Sequence, residues 1–358
     1  MKEHYHRESW KIGLAYAGII VGAGFSTGQE VLQFFSSFGL WSFAGVLLSA
    51  FTIMFIGRQA SKLGYRLNAE SHVLPIYALF GEKLGKVVDY ILVFFLYGLA
   101  TVMIAGSGAT FNESFGIEPW LGIIFLIIAV SVTLLLDFSK IVAVVGGITP
   151  ILVLAVIIIT GYNMMNPQIP FSEVNDYADI TRTPTGFWWL DAITYSGTVL
   201  ACAFSFLSIM GSEATKHRAA RRGAIYGGLV ILLLMLLVNG GILSTITQAN
   251  EVALPTMAMA QNMHPTVAVI FSIVILLLIY NSVVGLMYPF LTRFTTAYSK
   301  KYKLLLIASM VISYLMTFVG FVELVNIVYP ILGYVGITIG IALTVRWLMN
   351  KFSKKKLV

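Results

Sequence analysis

Long apolar blocks, each near the ~20 residues a helix needs to cross the hydrocarbon core of a bilayer, alternate with short polar segments along this chain. They predict spans over 9–37, 39–64, 86–112, 118–137, 139–165, 187–214, 219–247, 265–299, 302–320 and 322–349. Several exceed the minimum length, which implies tilt, kinks or ends that project into water. The short alternating segments of a membrane β-barrel do not occur. The longest polar stretch, Tyr162 to Gly186, separates two sets of five. Because five is odd, the second set must run in the opposite orientation to the first. The expected organisation is a first five-helix repeat over 1–165, a connector over 166–186, a second, inverted repeat over 187–350 and a basic tail over 351–358. The segment Gln248 to His264 is apolar but broken by Pro255, and it reads as a short lid or surface helix.

Composition and charge sharpen this. Hydrophobic residues make up 58% of the chain and charged residues 11%, against roughly a quarter charged in a soluble domain. The net charge of +7 does not point to nucleic acid, because the basic residues sit at the ends of apolar blocks. With the N-terminus inside, 22 of the 23 Lys and Arg residues fall on the cytoplasmic side and only Arg182 lies outside. That is the positive-inside pattern for ten spans with both termini in the cytoplasm, and the plasma membrane is the expected location. The expected partners are the lipid bilayer and a small-molecule solute. One cysteine, Cys202, rules out an internal disulfide and leaves nothing for a cysteine-based metal site. No small-residue cleavage site comes after the polar N-terminus, so the first block is expected to remain as a span.

The first span reads Gly18-Ile19-Ile20-Val21-Gly22-Ala23-Gly24-Phe25-Ser26-Thr27-Gly28-Gln29-Glu30. Glycines at 22, 24 and 28 lower the cost of leaving helical geometry. Ser26 with Gln29, or Thr27 with Glu30, fits a capping box for a restarting helix. The expectation is a helix that stops near Val21 and begins again near Thr27. Carbonyls freed before the break can hold a cation, and amides at the restart can hold a carboxylate. Glycine clusters also serve close helix packing, but the mid-span run Ser-Thr-Gly-Gln-Glu favours a functional break, since polar groups at that depth are costly. Interrupted helices at corresponding positions of inverted repeats mark the midplane site of many secondary transporters. By position, span six should break near Ala201 to Ser205, where it is small and polar without paired glycines. Span eight carries Tyr280-Asn281-Ser282 in an apolar run, with Pro289 after it. Adjacent Asn and Ser oxygens suit a small hard cation, and an interhelical hydrogen bond serves them equally well. Tyr97 sits mid-span in helix three, where its hydroxyl could meet a substrate carboxylate or a neighbouring helix. Glu30 and Glu213 are candidate proton or gating groups, with capping and a cytoplasmic ion pair as their simpler roles. Asp89, Asp191 and Glu323 lie near span ends and read as interfacial.

These residues carry a resemblance. Gly18-x-x-Val21-Gly22-x-Gly24 resembles the first-helix motif of LeuT-fold transporters, and Gly22-Ala23-Gly24-Phe25 is similar to the glycine-rich break of amino acid–polyamine–organocation permeases. The run Gly24-Phe25-Ser26-Thr27-Gly28-Gln29-Glu30, in a short ten-span chain, resembles the YkvI-like amino acid permeases. The resemblance implies an all-α membrane fold of ten helices in a five-plus-five inverted repeat, with helices one and six broken and a rocking mechanism. It implies a sodium site from the Gly18 and Val21 carbonyls, the Leu278 carbonyl, Asn281 and Ser282. It carries substrate contacts onto Ala23, Gly24, Phe25, Ser26, Thr27, Tyr97, Ala201, Phe204 and Ser205. An alternative register on Gly211-Ser212-Glu213 would move the second break towards the C-terminus. Phe25 replaces an asparagine that binds a second sodium in some relatives. Span five has no lysine from Ile141 to Thr160, the group that replaces sodium in proton-coupled relatives.

The leading expectation is a cation-coupled, sodium-driven symporter of a small amino-acid-like or amine solute. Proton coupling through Glu30 or Glu213 is the second reading, and a non-transporting sensor that keeps the fold is the third. An enzyme is not expected, since no His-Glu-x-x-His motif occurs. No cofactor is expected beyond sodium as the coupling ion.

Overall fold

The computed structural model describes residues 2–23, 27–69, 72–136 and 149–352. Beside the single helical turn Ile246–Ala249, twelve α-helices organise them: α1 Lys2–Ala23, α2 Gln29–Phe34, α3 Trp41–Leu67, α4 Val73–Phe115, α5 Pro119–Leu134, α6 Thr149–Met165, α7 Trp188–Glu213, α8 His217–Ser244, α9 Pro255–Met263, α10 Pro265–Phe294, α11 Lys300–Met316 and α12 Phe321–Phe352. Among the described residues seven helical stretches are long and apolar enough to cross a bilayer: α3, α4, α7, α8, α10, Lys300–Val319 and α12. The protein is an all-helical membrane protein. The remaining predicted spans overlap α1 with α2, α5, and α6, two of which are shorter apolar helices. Residues 139–148 of the fifth span lie outside the described residues.

Local chemistry sets the ends. Proline occupies the first turn of α5, α9 and α10, where its missing N–H leaves nothing unsatisfied. The His264 ring accepts from the Thr266 amide at 3.2 Å, and Ser299 Oγ caps α11 by accepting from Tyr302 at 3.1 Å. Inside α4 the backbone turns at Gly81 (φ 74°, ψ 173°). A short helical stub before that residue joins the long span after it. The sequence-predicted span three, beginning at 86, omits this stub.

Packing sorts the helices into two groups. α1, α3, α7 and α8 pack on one another; α4, α5, α10 and α11 form the second set; α12 leans on both α7 and α4, and α6 on α8 and the lid helix α9. Without a hydrophobic force between helices in lipid, close approach of backbones supplies much of the adhesion. Glycines provide it here. A methyl on Gly336 of α12 would overlap the Gly197 carbonyl of α7, and one on Gly64 of α3 would overlap the Ser208 carbonyl of α7. α7 is thus clasped from two sides.

α7 corrects one expectation. It is a single helix from Trp188 to Glu213, with no break at Ala201 to Ser205. The segment lacks glycine pairs and proline. Neighbouring hydroxyls fold back onto the preceding turn: Ser196 Oγ donates to the Ala192 carbonyl at 2.7 Å and Thr198 Oγ1 to the Thr194 carbonyl at 3.2 Å. Small polar residues without a glycine pair or proline do not by themselves interrupt a helix. The chain leaves helical geometry only at Ala214, after the span has ended.

Candidate functional site at the interruption of the first helix

α1 ends at Ala23 and α2 begins at Gln29, two residues beyond the stop and restart read from the sequence. Gly24, Phe25 and Ser26 lie outside the described residues, as do the side chains of Gly18, Val21, Ala23 and Glu213. The restart is built on Gly28, whose φ of 76° is left-handed. Thr27 Oγ1 accepts from the Gln29 amide at 3.3 Å, but the cap position itself is taken by Gly28, one residue later than anticipated and without a side-chain cap. The anticipated partner of Thr27 does not close the box: Glu30 turns away from the cap towards α7 and α12. The lid helix sits on this restart, with the Thr256 amide donating to the Thr27 carbonyl at 3.2 Å. A Cβ on Gly28 would come within 2.8 Å of the Thr256 methyl. Replacing Gly28 by Ala is therefore expected to cost about 1–2 kcal/mol from the left-handed backbone alone. The collision with α9 adds to this. A drop in thermal midpoint of the detergent-solubilised protein measures it, and an unchanged midpoint contradicts the geometry.

All six residues of α2 are buried, among α7, α8, α9 and α12. Three of them are polar: Gln29, Glu30 and Gln33. Glu30 is 4% exposed. It accepts from the Tyr195 hydroxyl of α7 at 3.3 Å and from the Tyr329 hydroxyl of α12. Cys202 lies within electrostatic reach of the same carboxyl. Among the described residues, no Lys, Arg or His forms an ion pair with Glu30. Phe34 and Phe35 pack on the Tyr195 ring, with centroids 5.6 and 5.0 Å away. Nearby, Asn239 of α8 ties the end of α2 down, accepting from Ser36 Oγ and donating to Ser42 Oγ, each at 2.8 Å.

Tyr195, Val199 and Cys202 fall on one stripe of α7 by helical spacing. Ala201, Phe204, Ser205 and Ser208 form the adjacent stripe. The residues that meet Glu30 are therefore Tyr195 and Cys202, together with Tyr329, none of which sequence reasoning selected. The position seven residues after Tyr195 was the available signal. Ala201 and Phe204 are fully buried. Ser205 Oγ and Ser208 Oγ are buried with no hydrogen-bond partner among the described residues.

Tyr97 takes the interhelical role. Its hydroxyl donates to the Ser309 carbonyl at 2.8 Å and accepts from Ser313 Oγ at 3.1 Å, both on α11. Its ring stacks on Phe290 at 4.7 Å. The hydroxyl is thus engaged by α11 in this structure.

On α10, Leu278, Asn281 and Ser282 share one face, at i, i+3 and i+4. Leu278 and Asn281 are buried, and Ser282 is half-buried. Tyr280 projects from the opposite face, where its hydroxyl meets Thr133 Oγ1 of α5 at 2.5 Å. α1 packs against α10, so the elements carrying the anticipated cation ligands are neighbours. A charge cluster missed by the sequence lies further along. Asp89, fully buried, holds the ring of His72 at 2.8 Å and the Arg293 guanidinium, with Nε at 2.9 Å. Its place near a span end made it read as interfacial; Asp191, read the same way, is also fully buried.

No family model matches the chain. It is 26% identical over 327 residues to the uncharacterized membrane protein YkvI of Bacillus subtilis (strain 168), covering 91% of this chain and 92% of that one. It is 23% identical over 350 residues to YyaD of the same organism, covering 96% and 99%. Among solved structures, MhsT in complex with L-phenylalanine superposes with a TM-score of 0.63 at 14% identity, over 96% of this chain and 89% of that one. The manganese transporter of Eremococcus coleocola gives 0.55 at 16% identity, over 94% and 78%. This is the LeuT transporter fold. Of these neighbours, the Eremococcus coleocola protein is a manganese transporter and MhsT holds L-phenylalanine. Within the LeuT fold of this chain, the interrupted first helix and the α10 stripe are the features that the first-helix resemblance singled out.

Proposed function

We propose that this chain is a secondary transporter of a small amino-acid-like or amine solute, coupled to sodium and working by alternating access. The observation that carries the reading is that α1 ends at Ala23 and the chain restarts after the left-handed Gly28 in α2, which is buried among α7, α8, α9 and α12. Backbone outside helical geometry is tolerated at membrane depth only where protein buries it or a cavity adjoins it. The helix ends it exposes offer carbonyls on one side and amides on the other. The hydroxyls of Ser205 and Ser208, unpaired among the described residues, support Ser205 as a solute contact beside Ala23, Gly24, Phe25, Ser26, Thr27, Ala201 and Phe204. The shared face of Leu278, Asn281 and Ser282 supports a sodium site completed by the Gly18 and Val21 carbonyls. Among the described residues no three His, Cys, Asp or Glu side chains converge as metal ligands. That favours an organic solute over a transition metal, and the L-phenylalanine held by MhsT belongs to the same chemical class.

The reading includes ten spans in two inverted repeats, with both termini in the cytoplasm of a plasma-membrane protein. The two packing groups would rock about the solute, with the lid α9 closing the outer side as it does over Thr27 here. A thermal-shift screen of the purified protein against amino acids and osmolytes, with and without sodium, tests the solute class. The expected result is a solute that stabilises the protein by mass action, and more strongly in sodium than in potassium. Stabilisation by no solute, or equally in both salts, would contradict it.

The Glu30 cage favours a second reading, proton coupling. In the sodium reading the carboxyl is a positioning group that keeps α2 against α7 and α12. Glu30→Gln retains an acceptor for Tyr195 and Tyr329 and is expected to keep sodium-dependent binding. Glu30→Leu leaves two buried hydroxyls unpaired, at about 1–3 kcal/mol each, and is expected to lower the thermal midpoint. A Glu30→Gln protein that folds but loses all concentrative uptake driven by a pH gradient, with none driven by sodium in the wild type, would move the conclusion to protons.

A further inference from the structure

A cleft separate from this site opens between the C-terminal ends of α3 and α12. Its lining is Gln59, Lys62, Leu63 and Arg66 from α3 with Leu343, Arg346, Trp347 and Asn350 from α12. Gln59, Lys62, Leu63 and Arg66 recur at i, i+3, i+4 and i+7, so they form one stripe of α3. Three cations and two amides thus face a common space, and among the described residues its lining holds no acidic side chain.

Two cations four residues apart on one helix face repel each other, and a third faces them from α12. Positive charge at this end of the helices is expected from topology, and Arg66 in the last turn of α3 also suits the helix dipole. Neither explains Gln59. This residue is 6% exposed, lines the cleft and has no hydrogen-bond partner among the described residues. With no partner among the described residues, its amide is left to whatever occupies the cleft, and it is the kind of neutral donor that completes an anion site. Arg346 is held in place by donating from Nη1 to the Ala78 carbonyl at 2.6 Å, in the stub that precedes Gly81. Its fork is therefore oriented by the fold.

We propose that this cleft binds a phosphate group, using Lys62, Arg66 and Arg346 as cations and the Gln59 amide as a neutral donor. The phosphate is that of an anionic lipid headgroup or of a soluble cytosolic ion; both present the oxygen cluster that guanidinium and ammonium donors fit. Bound there, it ties α3, from the first packing group, to α12, which touches both groups. The transport reading enters only in assigning the cleft to the cytoplasmic leaflet.

Thermal unfolding of the whole protein tests this without any transported solute. The purified protein is placed in nanodiscs of phosphatidylcholine alone or with added phosphatidylglycerol. Separately, in phosphatidylcholine nanodiscs, it is titrated with inorganic phosphate against chloride at matched ionic strength. A rise in midpoint with phosphatidylglycerol only assigns the site to lipid, and a rise with phosphate assigns it to the free anion. In either case K62Q/R66Q should raise the concentration needed by about tenfold or more, from the loss of charge-assisted bonds. Arg66 is exposed, so R66Q alone serves if the double variant folds poorly, with a smaller change in the same direction. No rise with either ligand, or the same rise in native and variant protein, overturns the proposal. Because the solute and sodium are absent, that outcome leaves the transport reading standing.

Discussion

Replacing Asn281 and Ser282 together by alanine is expected to abolish sodium-dependent solute binding. A small hard cation held by oxygen ligands alone loses two of the five that the first-helix and span-eight residues would supply. A hydrogen bond or contact to a charged group is worth about 1.5–3 kcal/mol, so two losses lower sodium affinity on the order of a hundredfold or more. Each single variant should fall between wild type and the double. Tyr280→Phe provides the control: Tyr280 lies on the opposite face of α10 and meets Thr133 of α5, so its loss should leave sodium dependence unchanged. The measurement is solute binding titrated with sodium at constant ionic strength. Retained sodium dependence in the folded double variant would remove these two side chains from the site.

The second large effect is structural. Asp89→Ala removes the acceptor shared by His72 and Arg293 and leaves a guanidinium without its carboxylate partner. Breaking a buried ion pair from one side costs about 3–5 kcal/mol. Arg293 keeps 26% side-chain exposure and its ring contact with Tyr90 at 5.0 Å, which places the expected loss at the lower end, about 3 kcal/mol. Asp89→Asn preserves the shape and one acceptor, and should lose less. Chemical unfolding in detergent reads both. Equal stability of the alanine variant and the wild type would mean that Asp89 contributes nothing to joining α4 with α10.

The first-helix interruption and the Asp89 cluster differ in how much of each a chain discloses in one dimension. The interruption was legible because backbone conformation leaves a local trace: glycines at 22, 24 and 28 mark where the chain can leave helical geometry, and Gly28 is the cap of the helix that restarts. The restart at Gly28 with a positive φ is the kind of geometry that glycine reports directly. Helix ends carry the same kind of local trace, with Pro119, Pro255 and Pro265 in first turns and Gly116 at the end of α4, although of these only Pro255 entered the sequence reading. Asp89 was not, because a carboxylate near a span end has the same sequence signature whether it meets water or a guanidinium 204 residues away. Tyr97 was ambiguous for a similar reason: its partners, Ser309 and Ser313, lie on α11. The anticipated break in span six failed because small and polar residues mark a permissive helix without forcing it open. The Glu30 cage required three helices to be in place, α2, α7 and α12, before Tyr195 and Tyr329 became neighbours.

The proposed function requires sodium and a solute to cross together. The most direct measurement is uptake of the solute found by thermal shift into proteoliposomes of the purified protein, with an inward sodium gradient at equal pH on both sides. Accumulation above equilibrium that collapses when the sodium gradient is dissipated is the predicted result. Accumulation that persists without sodium and tracks a pH gradient, or binding with no flux under either gradient, would contradict it.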